Sequence, residues 1–557
     1  MNYASLSKPF LYPSQLKYRL GLAKKRLTHY PVDSMNFIMM DLERPRLRSR
    51  HAHWCTYDLT GRMLQFYSLA EGVDGEHIEV LNELFERIMN NRHKSGVFGN
   101  AFEYTGESPE KATYIGTHFM SGLVNYYELT GDMRALNAAQ ACAEFLFAKG
   151  DAFYAEMANP FGPHKMSCWI AEGFAELYKQ TQKEVYLDAV HRIASECMGQ
   201  LQGAHSHGYM TTLRGILKAA IYAEDAELAE FVRVRRQEII DRGCMYPNGD
   251  ISEMFPESPR NEGCSIADWI MLNLLYGFYF DDSSAYELAE YSLWNALYFN
   301  QFVTGGFGHR YFGEHGYKTY IEEAWWCCTE NCGMCLTETA RHAVTMKNGL
   351  LKLNFLIPGQ YTIKTPSDEI RVCVTTKYPV NAETIIRVEG TQDDMELRIP
   401  SCIRAASCRR VNNPLGYTLY LDGKMGHYTE IRNDRMVVKY GPLVIAPMMY
   451  HWDLMTAVEQ ENTVPEGYCH EALKGRDFKL ALTDPDENGF YRLKHDPLPE
   501  WSIFEEGEMA GISGGEAASA YIPVVFPDGT KKELFFQPLC SATSNLTLMD
   551  IVSDFTI

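Results

Sequence analysis

Two short stretches of this chain hold residues able to bind a metal and to attack carbon: Glu262-Gly263-Cys264 and Trp326-Cys327-Cys328-Thr329-Glu330-Asn331. Together they supply one carboxylate and three thiols, enough to close a four-coordinate zinc site. Zinc held mostly by thiolates is usually structural. A thiol beside a metal is nevertheless a thiolate at neutral pH, and a thiolate is a nucleophile. Two adjacent cysteines serve such a site only where the backbone bends, because neighbouring side chains diverge. The plainer alternative is a set of separate buried cysteines, a common fate of free thiols.

The elements that must position these residues change character along the chain. Ile115–Tyr127, Cys168–Tyr178, Leu213–Tyr222 and Ile266–Phe280 carry apolar residues at helical spacing. Each is followed by a short polar break, Leu129-Thr130-Gly131-Asp132, Gln180-Thr181-Gln182-Lys183, Ala223-Glu224-Asp225 and Asp281-Asp282-Ser283, and then by a second helical stretch. An earlier break lies at Glu71-Gly72-Val73-Asp74-Gly75. The recurrence, at intervals of roughly 45 to 60 residues, is that of helical hairpins. Residues 1–347 are therefore expected to form an (α/α)6 toroid, a ring of paired helices around a central cleft, with an open solenoid as the rival. Beyond Lys347-Asn348-Gly349 the segments become short, alternating and rich in β-branched and aromatic residues, as in Glu369–Thr376 and Thr384–Glu389. Residues 348–450 read as a β-sandwich domain. Residues 451–557 read as a further β-rich region, with a hairpin from Ala520–Phe526 to Lys532–Gln537.

Composition narrows the function classes. A chain of 557 residues exceeds one compact core, and 46% hydrophobic with 22% charged residues describes a globular protein. The net charge of −20 argues against nucleic acid as a partner. No stretch is long and apolar enough to span a bilayer. Met1 to Leu16 does not resemble a secretory leader. The 15 cysteines then point to a reducing compartment, with the cytoplasm as the expected location. The 34 Tyr and 28 Phe suit aromatic clefts for sugars, though they suit cores as well.

The combined pattern resembles glycoside hydrolase family 127, the β-L-arabinofuranosidase-like group, and its relative family 146. Gly116-Thr117-His118 followed by Tyr126-Tyr127-Glu128-Leu129-Thr130-Gly131-Asp132 looks like that group's first well-marked hairpin. Glu262-Gly263-Cys264 resembles its Glu-Thr-Cys, and Cys327-Cys328-Thr329-Glu330-Asn331 its Cys-Cys-Pro-Pro-Asn. Thr375-Thr376-Lys377-Tyr378-Pro379, Leu397-Arg398-Ile399-Pro400-Ser401 and Tyr440-Gly441-Pro442-Leu443-Val444 look like its β-region segments. The chain departs from the pattern at Gly263, Thr329 and Glu330, and in a shortened stretch before Glu262.

The resemblance implies a retaining, zinc-thiolate glycoside hydrolase that releases a terminal L-arabinofuranose-like sugar from short oligosaccharides. Zn2+ is then held by Glu262, Cys264, Cys327 and Cys328, with Cys327 as the nucleophile that forms a thioglycosyl intermediate. A second group must protonate the leaving oxygen and later activate water. Glu253, in Gly249-Asp250-Ile251-Ser252-Glu253, is the candidate, with Glu257 as its substitute if the shortened segment shifts the register. His118 and His164 at helix starts, together with His205, His207 and Arg214, are candidate sugar contacts. Asp58 is a candidate for the same role or for fixing a helix start, and Trp325 and Trp326 could stack on a sugar face. Cys332 and Cys335 leave open an all-thiolate zinc site with the adjacent pair. Two further readings stay open: another rare plant-polysaccharide sugar on the same site, or a toroid-fold sugar epimerase, which would ignore chelators. The expected partner is an oligosaccharide, with neither nucleic acid nor membrane; a homodimer is left open.

Overall fold

Turn chemistry sets the helical hairpins. Gly131, Gln182, Glu224 and Asp281 each adopt a positive φ, which ends one helix in the left-handed conformation. At three of these breaks an aspartate follows and caps the next helix. Asp132 accepts from the Arg134 N–H at 2.9 Å, Asp225 from Glu227 and Leu228 at 2.9 and 3.0 Å, and Asp282 from Ser284 at 2.8 Å.

The computed structural model describes residues 4–28, 34–43, 58–92, 98, 117–158, 169–258, 260–302, 304–313, 316–324, 326–365, 368–432, 435–450, 478–494, 515–541 and 547–549. Its longer helices are α1 (Gln15–Thr28), α2 (Ser34–Glu43), α3 (Asp58–Ala70), α4 (Leu81–Asn90), α5 (Thr117–Thr130), α6 (Met133–Phe147) and α7 (Asp151–Ala158). They continue as α8 (Ile170–Thr181), α9 (Glu184–Arg192), α10 (Ser206–Ala223), α11 (Ala226–Asp241), α12 (Gly263–Phe280), α13 (Ser283–Ser292) and α14 (Cys327–His342).

Among the described residues, α3, α5, α8, α10, α12 and α14 pack side by side, and α14 packs back on α3 to close a ring. The second helix of each pair lies outside: α4, α6, α9, α11 and α13 lean on their partners, and α1 covers α14. The inner helices are apolar on nearly every face, as helices enclosed on all sides must be. In α12 every residue from Gly263 to Phe278 is buried. This is the helical toroid expected from the repeating breaks.

The sheets follow the ring in sequence but are not confined to its far side. A six-stranded sheet runs in the order Arg404–Asn413, Gly416–Lys424, Thr384–Glu389, Glu369–Thr376, Gly359–Lys364, Lys8–Leu11. A four-stranded sheet runs Ala4–Leu6, Val344–Lys347, Leu350–Leu353, Met395–Leu397. Burial alternates along Glu369–Thr376 and Thr384–Glu389, so one face of these strands feeds the core. The largest sheet joins Leu443–Tyr450 to the hairpin Ala520–Val525 and Lys531–Pro538 on one side, and through Thr547–Met549 to Gly316–Glu323 and Gly308–Gly313 on the other. Strand pairing thus crosses the boundaries expected at 347/348 and 450/451. Ala4–Leu6 and Lys8–Leu11 enter sheets built mainly after residue 343, and the strands after residue 478 complete a sheet that starts at Gly308.

Candidate active site

Helix starts gather the four candidate metal donors. Glu262 sits just ahead of α12 with extended backbone (φ −141°, ψ 132°), and its side chain caps nothing, so the carboxylate is free to turn inward. Cys264 is the second residue of α12, and Cys327 and Cys328 are the first two of α14. Successive side chains in a helix are only about 100° apart, not opposed as in a strand, so two adjacent cysteines can face one centre. Trp326 supplies the bend ahead of them (φ −91°, ψ −90°). Cys264 Sγ lies 3.6 Å from Cys328 Sγ, which lies 3.9 Å from Cys327 Sγ. The donor atoms of Glu262, Cys264, Cys327 and Cys328 all fall within 4.8 Å of one another, and all four residues are buried.

The neighbours explain one departure in sequence. A Cβ on Gly263 would lie 3.2 Å from both Cys328 Cβ and Cys332 Sγ and 3.1 Å from Asn300 Oδ1, so a side chain between the two candidate ligands would need its neighbours to give by a few tenths of an ångström. Cys332 donates to the Gly263 carbonyl at 3.2 Å, and Cys335 lies buried a turn further along α14; neither enters the four-donor group. Thr329 accepts the Phe307 N–H at 3.1 Å. Asn331 donates to the Cys264 carbonyl at 3.1 Å and to Asp268 at 3.2 Å, which ties α14 to α12.

The electrostatics of this group suit a divalent cation. Burial pushes the Cys264 and Cys328 thiols well above their ordinary range, and the neighbouring sulfurs push in the same direction for Cys264. Burial alone would also raise the Glu262 carboxyl. The charges of His205, His207 and His309 and the His205 hydrogen bond outweigh it and hold Glu262 well below the usual carboxylate range. Three thiolates beside a carboxylate cannot share a closed pocket unless a cation compensates them. The starts of two helices, where backbone N–H groups point at the donors, favour the same anions. One carboxylate with three sulfurs is a donor set that zinc accepts in tetrahedral form.

Glu253 stands beside this group. The loop that carries it is pinned by Asp250, which accepts from the Ile251 N–H at 2.7 Å and from Asn261 Nδ2 at 2.6 Å. Gly249 makes the preceding turn at φ +83°, where a Cβ would also strike Tyr291 at 2.8 Å. The carboxylates of Glu253 and Glu262 and a ring nitrogen of His205 lie within 4.8 Å of one another. His205 is therefore accompanied by two carboxylates. Its Nδ1 lies 3.4 Å from the Gly208 N–H, and its Nε2 lies 3.1 Å from Glu262 Oε2. Arg260 forks both oxygens of Glu253, its Nε lying 2.5 Å from Oε2. Glu257 is exposed and stands outside the cluster.

His207 and Arg214, read from the sequence as candidate sugar contacts, are tied into the helix ring itself. Both are buried, inside a chain of charges on the inner faces of α3, α8, α10 and α12. His207 Nδ1 donates to Asp268, which also accepts from Thr211 at 2.9 Å and from Arg214. Arg214 continues to Glu172 at 3.0 Å, and Arg62 NH1 lies 3.1 Å from His207 Nε2. Burial alone would raise the Asp268 carboxyl, but the His207 and Arg214 charges bring it below its ordinary value. Asp268→Ala strands a buried guanidinium and an imidazole, so it should lower stability by about 3–5 kcal/mol. Denaturant unfolding of the purified variant measures this, and a loss below about 1 kcal/mol would show that the network does not hold the ring.

Asp58 and His118 open α3 and α5 through their backbones, but their side chains lie outside the described residues, as do His164 and Trp325. Trp326 is partly exposed at the start of α14. Sequence reasoning missed Asp268, Arg260 and His309. Asp268 had a readable signal, as a lone carboxylate in the otherwise apolar run of α12, four residues after Cys264. His309 comes from the hairpin Gly308–Gly313 and Gly316–Glu323, and only tertiary pairing brings it to Glu262.

Residues 78–336 match the family model described as the β-L-arabinofuranosidase GH127 catalytic domain. The whole fold aligns with a GH127 β-L-arabinofuranosidase from Geobacillus stearothermophilus T6 at 11% identity and TM-score 0.71, covering 98% of this chain and 99% of that one. It also aligns with a GH127 β-arabinofuranosidase at 13% identity and TM-score 0.65, covering 99% of this chain and 98% of that one. A third structure, a glycoside hydrolase, aligns at 13% identity and TM-score 0.64 over 99% of this chain and 98% of that one. At these identities the likeness speaks for a shared fold. No curated protein matches the chain in sequence. Among the described residues no helix is long and apolar enough to cross a membrane.

Proposed function

Through residues 78–336 the chain belongs to the β-L-arabinofuranosidase GH127 family of glycoside hydrolases, and from that premise we propose a retaining, zinc-thiolate mechanism acting on a terminal L-arabinofuranose-like sugar. The observation that carries the proposal is the meeting of Glu262, Cys264, Cys327 and Cys328 within 4.8 Å, with the Glu253 carboxylate within the same distance of Glu262.

In this reading Glu262, Cys264, Cys327 and Cys328 hold zinc. The bound ion would supply the charge that keeps the sulfurs deprotonated. Cys327 attacks the anomeric carbon and becomes thioglycosylated as the leaving alkoxide departs. Glu253 gives that oxygen its proton and then takes one from the water that releases the sugar. His205 holds one oxygen of Glu262 by hydrogen bond and so fixes the carboxylate's direction. The buried charges of His207, Asp268 and Arg214 keep α10, α12 and α14 in register beneath the site. The substrate is a short oligosaccharide, and the alternative on the same site is another rare plant-polysaccharide sugar.

Purified protein should contain about one zinc per chain by elemental analysis. Strong chelators should remove activity together with thermal stability, because the binding energy of a site formed only in the folded chain is folding energy. A panel of nitrophenyl glycosides that includes the β-L-arabinofuranoside identifies the sugar. Full hydrolytic activity in metal-free protein would end the zinc-thiolate reading.

A further inference from the structure

The strand register of the six-stranded sheet decides what its outer face shows to solvent. Residues directly opposite in antiparallel strands lie on the same side of a sheet. Val411, Thr418, Arg387, Cys373, Gln360 and Phe10 therefore form one row that crosses all six strands. Arg409, Tyr420, Ile385 and Thr375 form the next row. The residues that alternate with them along the strands, such as Val372, Val374, Ile386 and Val388, are fully buried, so both rows point outward.

Neither row holds a carboxylate, on a chain whose net charge is −20. Phe10, Ile385, Val411 and Tyr420 are between 37% and 48% exposed. Exposed apolar side chains gathered in neighbouring rows mark a contact surface, whereas the same residues scattered singly do not. Two guanidinium groups stand among them. Arg371, one row further, pairs with Glu369 at 3.3 Å and with Glu389 at 3.6 Å. Among the described residues, Arg387 and Arg409 meet no carboxylate. Arg409 lies over the Tyr420 ring, 4.5 Å from its centroid. Charge on an edge strand keeps foreign strands from adding, which accounts for Arg409 on Arg404–Asn413. It does not account for Arg387, which sits on the interior strand Thr384–Glu389.

The strip is long and narrow. Six strands at about 4.8 Å spacing span roughly 24 Å, and two rows about 7 Å apart give a footprint of roughly 300 Å². A stable protein partner covers about 800 Å² on each side, so a second copy of this chain would need far more surface than the strip offers. What fits is an elongated molecule laid across the strands, with apolar faces for Tyr420 and Phe10 and anionic groups for the two arginines. Sugar rings present C–H faces that rest on aromatic rings. A carboxylate takes the two-pronged hydrogen bonds of a guanidinium. Resting on the reading of this chain as a glycoside hydrolase, we propose that the outer face of the six-stranded sheet binds an acidic oligosaccharide, a chain of sugars that carry carboxylates. The strip faces solvent and the four-donor cluster is buried, so this second site holds a glycan without cleaving it.

Calorimetric titration of the full zinc-loaded chain with a short oligogalacturonate and with its neutral methyl ester tests this. The acid should bind at least about tenfold tighter than the ester, the difference expected for charged hydrogen bonds. Its affinity should fall as salt rises, because exposed charges are screened. The double variant Arg387→Gln, Arg409→Gln should lose at least about tenfold in affinity for the acid, and Tyr420→Ala should weaken it as well. Circular dichroism confirms that both variants are folded. Hydrolysis of a saturating aryl glycoside should stay within about twofold in both, since the substitutions lie away from the reacting groups. Binding is read without turnover, so a wild type that binds the acid but hydrolyses nothing would sink the zinc-thiolate mechanism and support this site. Four outcomes overturn the proposal: the acid does not bind, the ester binds as tightly, acid binding is unchanged in the folded double variant, or sedimentation shows a dimer that the double variant dissolves while no glycan binds.

Discussion

Cys327→Ser is expected to bring turnover below detection, a loss of about 10⁴-fold or more, because the serine hydroxyl is neither held nor ionised as the thiolate is. Cys328→Ser should act differently. Cys328 Sγ lies 3.6 Å from Cys264 Sγ and 3.9 Å from Cys327 Sγ, and the residue is fully buried. Cys327 retains 3% exposure and is the member of the pair with any opening toward solvent. Loss of Cys328 should therefore lower zinc content first, with residual hydrolysis restored by added zinc. Trapping with a slow or activated substrate followed by peptide mass spectrometry should place a glycosyl adduct on Cys327. An adduct on a carboxylate, or inversion at the anomeric carbon, would refute the thiolate mechanism.

The second large effect is expected at Glu253. Glu262 is poorly suited to move protons, since a carboxylate committed to a metal stays ionised. The Glu253 carboxylate lies within 4.8 Å of it on a loop pinned by Asp250, while Glu257 is exposed and apart from the cluster. Glu253→Gln should slow hydrolysis of substrates with poor leaving groups by roughly 10²–10⁴-fold, the usual span for lost general acid–base catalysis. Nitrophenyl glycosides, which need little help to depart, should suffer less in the first step, and azide should rescue the second as a nucleophile that needs no base. If Glu257→Gln destroys activity on a natural disaccharide and Glu253→Gln leaves it intact, the role passes to Glu257.

The turns, more than the helices, made the ring legible in the sequence. Gly131-Asp132, Glu224-Asp225 and Asp281-Asp282 join a residue able to take positive φ to a capping carboxylate, and that chemistry is local. The candidate metal donors were legible for a related reason: residues placed at two helix starts appear as two short, compact motifs. What could not be read depended on distant partners. Ala4–Leu6 gives little sign of being a strand until it meets Val344–Lys347. Arg404–Asn413 was missed because it is an edge strand, exposed along most of its length, and lacks the alternation that marks a half-buried one. His207 and Arg214 read as site residues because histidine and arginine often touch sugars. Their burial against Asp268 is a property of the closed ring, which no local pattern reports.

The strand Ala4–Leu6 pairs with residues 345–347, so synthesis and folding cannot proceed strictly from front to back. At roughly 5–20 residues per second, its partner leaves the ribosome on the order of 20–70 s later. During that interval the nascent chain carries open strand edges and an arc of apolar inner helices that only α14 can seal. The final docking step thus joins the first strands, the last inner helix and two of the four candidate metal donors at once. Zinc available at that moment would act as a clasp on a newly closed circle, and a chain released without it would reach the cell's quality control with its seam still open.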